Sequence, residues 1–155
     1  MTPSRPVTAP TQTAPSPQAL PSPTTDDRLV DRLLGELEML TEAAVARDFP
    51  AERDRLRAAG DYRYRPPGGE TFDDIAVRLR SLLVDLNRDQ AGRRVVVVAH
   101  DAVVLMTRAV VEGLEPAAVA EVAAAGPVRN ASITRFDGAS GRLITAGYNS
   151  VDHLG

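Results

Sequence analysis

The chain has 155 residues, a formal net charge of -3 and 43% hydrophobic residues, the balance of one globular domain carrying some unstructured length. The absence of cysteine excludes disulfide frameworks, thiolate zinc sites and cysteine nucleophiles. Mild acidity with no basic run argues against binding nucleic acid or anionic lipid, and no apolar stretch reaches membrane-spanning length, so a cytoplasmic protein is expected.

Seven of the twelve prolines fall between Pro3 and Pro23, with Thr, Ser and Ala in the gaps. Such a segment buries too little apolar surface to offset its ordering entropy, so residues 1–26 read as a disordered tail and 27–155 as the folded domain. From Asp27 the pattern turns helical: Leu29, Val30, Leu33, Leu34, Leu37 and Leu40 recur at helix spacing, interrupted by Gly35 and ended by Pro50. A short helix over "AERDRLRAAG" closes on Gly60, and "DYRYRPPGGE" reads as a loop.

"TFDDIAVRLRSLLVDLNRDQ" carries the clearest helix signal, with Thr71 and Asp74 as a capping-box variant, an apolar stripe from Phe72 to Leu86, and Gly92 as its end. Next, Val95 to Val98 form an apolar run without polar alternation, which predicts a central parallel strand buried on both faces. Helical spacing returns after His100, and "EPAAVAEVAAAG" predicts a further helix with Pro116 at an allowed early position. "NASITRFDGASGRLITAGYN" reads as two strands around a turn between Asp137 and Gly141. The expected class is therefore α/β, with helices packed on a mostly parallel sheet.

In open α/β sheets, ligands bind beyond the carboxyl ends of the strands, where helix N-termini offer free amides. His100 falls at that position, so a phosphate there meets the amides of Asp101 and Ala102 and an imidazole that can donate a hydrogen bond or a proton. A histidine that merely ends the strand is the plainer alternative. Arg63 and Arg65 lie in a loop stiffened by Pro66 and Pro67, which suits bidentate phosphate recognition, although exposed arginines in an arginine-rich chain are commonly just solvated. Asp31, Glu36 and Glu38 are candidates for a general acid, and His153 reads as surface. No metal or cofactor is expected, because one histidine with scattered acids makes no ligand cluster.

Together, "DYRYRPPGGETFDDIAVRLRSLL", "RVVVVAHDAVVL", "PVRNASIT" and "YNSVDHL" resemble, in order, motifs of the histidine phosphatase superfamily, the phosphoglycerate-mutase-like fold. "DRLLGELEMLT" with "DFP" is similar to the segment that carries the family's acid. The resemblance implies a three-layer sandwich, with His100 as the second pocket histidine and Asp31 as the acid that protonates the leaving oxygen. It also implies a nucleophilic histidine in an "RHG" motif ending the first strand, and these 155 residues contain neither that motif nor any histidine before His100.

The expectation is a partial histidine-phosphatase-like domain that keeps part of a phosphate pocket and binds a phosphorylated small molecule or a protein without catalysis. The alternatives are an active phosphatase or mutase, with its nucleophile supplied by another chain or lost from the recorded start, and an unrelated α/β binding domain. Without its neighbouring strand the valine run needs cover, so a homodimer or a partner protein that completes the sheet is expected.

Overall fold

A computed structural model describes residues 22–139 and 141–155. Most of the stretch read as a tail, residues 1–21, lies outside the described residues; residues 22–26 have no regular secondary structure.

The chain then takes a 3-10 turn at Asp27–Leu29 and another at Gly35–Leu37, followed by helices α1 (Glu42–Asp48) and α2 (Pro50–Ala59). The leucine spacing from Leu29 to Leu40 does not become one helix, because this segment lies backbone to backbone against the Pro66–Glu70 loop. The Glu36 amide donates to the Pro67 carbonyl at 2.9 Å and the Glu70 amide to the Leu33 carbonyl at 2.8 Å. Two glycines make that approach feasible: a Cβ on Gly35 would collide with the Pro67 carbonyl, and one on Gly69 would sit 2.5 Å from the Leu33 carbonyl. Pro50 does not only end a helix; it opens α2 at a position where its missing N–H has no helical partner to lose.

Helix α3 (Phe72–Asp89) starts on the expected capping box. The Asp74 amide donates to Thr71 Oγ1 at 3.2 Å, and the Thr71 amide donates back to the Asp74 carboxylate at 2.7 Å. It ends at Asp89 with Gln90 as its cap, and Gly92, at φ +73°, lies in the turn beyond. Helix α4 (Asp101–Glu112) closes on Gly113 in the left-handed conformation, and α5 (Pro116–Ala124) begins on Pro116 as predicted.

The core is helical. Ile75, Leu79 and Leu82 on α3 pack with Val103, Met106 and Ala109 on α4 and Val119 on α5. Strands β1 (Ile133–Ala139) and β2 (Arg142–Ser150) form the expected hairpin, paired antiparallel with two register shifts between Ile133 and Phe136.

The sheet itself corrects the sequence reading. Among the described residues it has two antiparallel strands, and neither is the valine run. Val95 to Val98 have no strand partner among the described residues, and Val96 and Val98 are 88% and 87% exposed. The apolar pattern encodes a central strand, but a strand is buried only when neighbours stand beside it and layers lie over both faces. Neither condition is met among the described residues.

Candidate functional site

His100 directly precedes α4 and takes its N-cap position, with extended backbone and no hydrogen bond from its imidazole to the helix. Its Nδ1 lies 3.8 Å from Oδ2 of Asp31, which arrives from the segment pinned to the Pro66–Glu70 loop. The imidazole is 72% exposed and the carboxylate 48%, so solvent reaches both. This contact becomes an ion pair only when the ring carries a second proton.

Asp31 and Asp101 both face an open cleft of about 420 Å³ between the Asp31 segment, the start of α4, the Gly126–Val128 turn and β2. His100 adjoins this cleft through those two neighbours and does not form its wall. Asp101 and Ala102 are both in the wall, but the Asp101 carboxylate accepts the Ala102 amide at 2.7 Å. An amide predicted to meet a phosphate therefore already has an anionic acceptor within its own turn.

Arg63 and Arg65 stand elsewhere, in a separate shallow depression beside α2. Arg65 donates to the Gly69 carbonyl at 3.1 Å and pairs with Asp74 at 2.7 Å, so its guanidinium braces the start of α3. Burial raises the Asp74 pKa, but the Thr71 amide, Arg65 and the Thr71 hydroxyl together outweigh it and hold the carboxyl below its ordinary range.

The arginine at the cleft is Arg32, which sequence reasoning passed over. It donates to the carbonyls of Glu70 at 3.1 Å and Tyr64 at 2.8 Å and to Asp61 at 2.9 Å, with its guanidinium 4.5 Å from the centre of the Phe72 ring. The cleft wall thus sets the carboxylates of Asp31, Asp61 and Asp101 against one guanidinium that is already engaged. Arg32 follows Asp31 directly in the chain, but nothing local shows which way it turns.

Tyr148 and Asn149 shape the opposite side. Burial pushes the Tyr148 phenol above its ordinary pKa against the opposing charge of Arg108, whose guanidinium sits 4.5 Å from the ring centre. Asn149, at φ +54°, accepts the Arg129 amide at 2.8 Å through its side chain and donates to the Pro127 carbonyl at 3.0 Å, which ties the Gly126–Val128 turn to β2. The quoted "YNSVDHL" contains both residues but does not show that Asn149 reaches back to residue 127. Among the described residues, no three His, Cys, Asp or Glu side chains converge as a metal site.

The profile of the histidine phosphatase superfamily (branch 1) matches residues 10–150. The chain belongs to the histidine phosphatase superfamily. This removes the unrelated α/β binding domain from consideration. Glucosyl-3-phosphoglycerate phosphatase of Mycobacterium tuberculosis is 34% identical over 121 residues, which is 73% of this chain and 52% of that enzyme. The 6-phosphofructo-2-kinase/fructose-2,6-bisphosphatase of Aquarana catesbeiana is 38% identical over 69 residues, 44% of this chain and 14% of that protein.

The structure of the mycobacterial glucosyl-3-phosphoglycerate phosphatase in complex with VO3 superposes with a TM-score of 0.65 at 33% identity, covering 81% of this chain and 62% of the other. The same enzyme with inorganic phosphate gives 0.63 at 32% identity over 81% of this chain and 63% of that one. This superfamily member therefore spans about half the length of the curated phosphatase it matches. Among its described residues, no helix is long and apolar enough to cross a membrane.

Proposed function

We propose that residues 27–155 form the leaving-group side of a histidine-phosphatase site: a domain that engages phosphorylated small molecules weakly and does not turn them over on its own. The observation that carries this reading is the pairing of His100 with Asp31 at 3.8 Å, in a sequence whose one other histidine is His153.

In the phosphohistidine route, an imidazole nitrogen bonds to phosphorus while the ester oxygen departs with a proton from an acid; water then releases phosphate. In this reading Asp31 gives that proton and His100 holds charge on the transferring group. His100 cannot also be the nucleophile that it assists, and losing the attacking group forfeits roughly four to six orders of magnitude in rate. The three wall carboxylates repel a phosphate dianion and the one guanidinium there, Arg32, is already engaged, so affinity from these residues alone is low.

A second reading rests on coverage. The chain matches 52% of the mycobacterial enzyme, and residues outside these 155, contributed by another chain or by further sequence, would complete an active phosphatase acting on sugar-phosphate esters.

Turnover of a generic aryl phosphate by the 155-residue chain, beside His100→Ala, tests the first reading. The expected result is no hydrolysis above background in either protein, with a small phosphate-dependent rise in melting temperature that His100→Ala removes. Hydrolysis that disappears in His100→Ala, or a phosphorylated imidazole found after exposure to the ester, would overturn the first reading.

A further inference from the structure

Of the three tyrosines, two have hydroxyls engaged by carboxylates: Tyr62 donates to Asp73 at 2.9 Å and Tyr64 to Glu52 at 3.0 Å. Tyr148 differs. It is half-buried in the wall of the cleft, yet its hydroxyl meets no acceptor among the described residues. A packed phenol ordinarily finds a partner, so a free O–H in a cleft wall points to a ligand. We propose that Tyr148 grips the leaving group of a phosphate ester bound in this cleft, its hydroxyl donating to an oxygen of that group. The proposal rests on the phosphate-site reading given under Proposed function.

The donors of the wall single out Tyr148. Among the wall side chains, Arg32 and Tyr148 carry donors, and Arg32 directs its own to Glu70, Tyr64 and Asp61. The carboxylates of Asp31, Asp61 and Asp101 supply acceptors, while Phe72, Leu105 and Val128 supply apolar surface. That mixture suits an uncharged leaving group with several hydroxyls. The carboxylates accept its O–H groups, the phenol donates to one of its oxygens, and its C–H faces lie on the apolar wall.

Tyr148 is held on two sides before any ligand arrives. Arg108 of α4 lies 4.5 Å from the ring centre and is itself fixed by Glu112 at 2.9 Å. On the backbone side, the Asn149 amide donates to Thr134 Oγ1 at 3.1 Å, and its side chain holds the Arg129 amide and the Pro127 carbonyl. A donor fixed in this way loses little freedom on binding. Its proton is secure as well. Burial raises the phenol pKa, Arg108 pulls it down, and the carboxylates of Asp101 and Glu112 raise it further, so near neutral pH the group remains a donor.

Nuclear magnetic resonance titrations of the 155-residue chain with inorganic phosphate and with glycerol 3-phosphate test the assignment. The wild-type chain should bind glycerol 3-phosphate more tightly than inorganic phosphate. Tyr148→Phe removes one oxygen and keeps the ring, so it should leave the melting temperature and phosphate binding unchanged while weakening glycerol 3-phosphate by about three- to tenfold. Arg108→Gln, a change at a positioning residue, should weaken the ester less. It should also raise the pH at which the Tyr148 phenol ionises, read as the difference between ultraviolet titrations of Arg108→Gln with and without Tyr148→Phe.

An ester that binds no more tightly than phosphate, or a Tyr148→Phe chain that loses nothing or loses both ligands equally, overturns the contact and leaves the phosphate reading standing. An unmoved phenol titration in Arg108→Gln overturns the part given to Arg108. Binding of neither ligand to the wild-type chain overturns the phosphate reading and the role of Tyr148 with it.

Discussion

Arg78 and Glu70 meet through two contacts of 3.1 Å each, and from that position Arg78 also donates to the carbonyls of Arg28 and Asp31. Glu70 accepts in addition the Leu33 amide at 3.2 Å. This ion pair therefore helps to hold the approach to Asp31 against α3, together with the contacts of Arg28 to Ser81 and Asp85. Both side chains of the pair are largely buried, at 14% and 17% exposure, so removing one partner leaves the other charged and unpaired. Arg78→Ala should cost roughly 2–4 kcal/mol in urea unfolding.

Gly35 and Gly69 should be the least replaceable glycines. Alanine at either forces backbone atoms apart where the Asp31 segment meets the loop, and Gly35 also sits at φ +57°. Each substitution should cost about 3 kcal/mol or more, or prevent folding. Gly113→Ala, in the left-handed region at φ +68° with open space around it, should cost only about 1 kcal/mol. Thermal unfolding of the three variants separates collision from conformational strain alone.

The capping box predicts a pH dependence. Asp74 is held below its ordinary pKa in the folded chain, so its contribution is fully present above the unfolded value of about 3.9 and is lost as pH falls through the folded value. Melting temperature should therefore decline on acidification below about pH 4, and Asp74→Asn should flatten that part of the decline while lowering stability at neutral pH. An identical acid limb in both proteins would refute the assignment.

Asp101 opposes anion binding twice, by its charge in the cleft wall and by its hold on the Ala102 amide. Asp101→Asn should tighten inorganic phosphate binding by roughly three- to tenfold at low salt, with the gain shrinking as ionic strength rises. It should also cost about 0.5 kcal/mol of stability, since an acid at a helix N-terminus is favourable there. Calorimetric titration at two salt concentrations checks both the sign and the screening.

The features legible in the sequence are those decided within a few residues. Thr71 and Asp74 cap α3 because each reaches the other's amide across one turn, Pro116 opens α5 because its ring presets the backbone, and the 133–150 hairpin follows from alternation around a glycine turn. The return of helical spacing after His100 likewise marks the start of α4.

Only tertiary structure decided the rest, because it depends on what lies across space. Four valines state a preference for burial, but their N–H and C=O groups can be satisfied only by a neighbouring strand, and among the described residues none is there. The leucines from Leu29 to Leu40 fit a helix, but two glycines and the Glu70–Arg78 pair lay that segment along a loop instead. Arg65 and Arg32 look alike in sequence, and only the packed chain directs one to the Asp74 cap and the other to the cleft, since a guanidinium goes wherever the fold gathers acceptors.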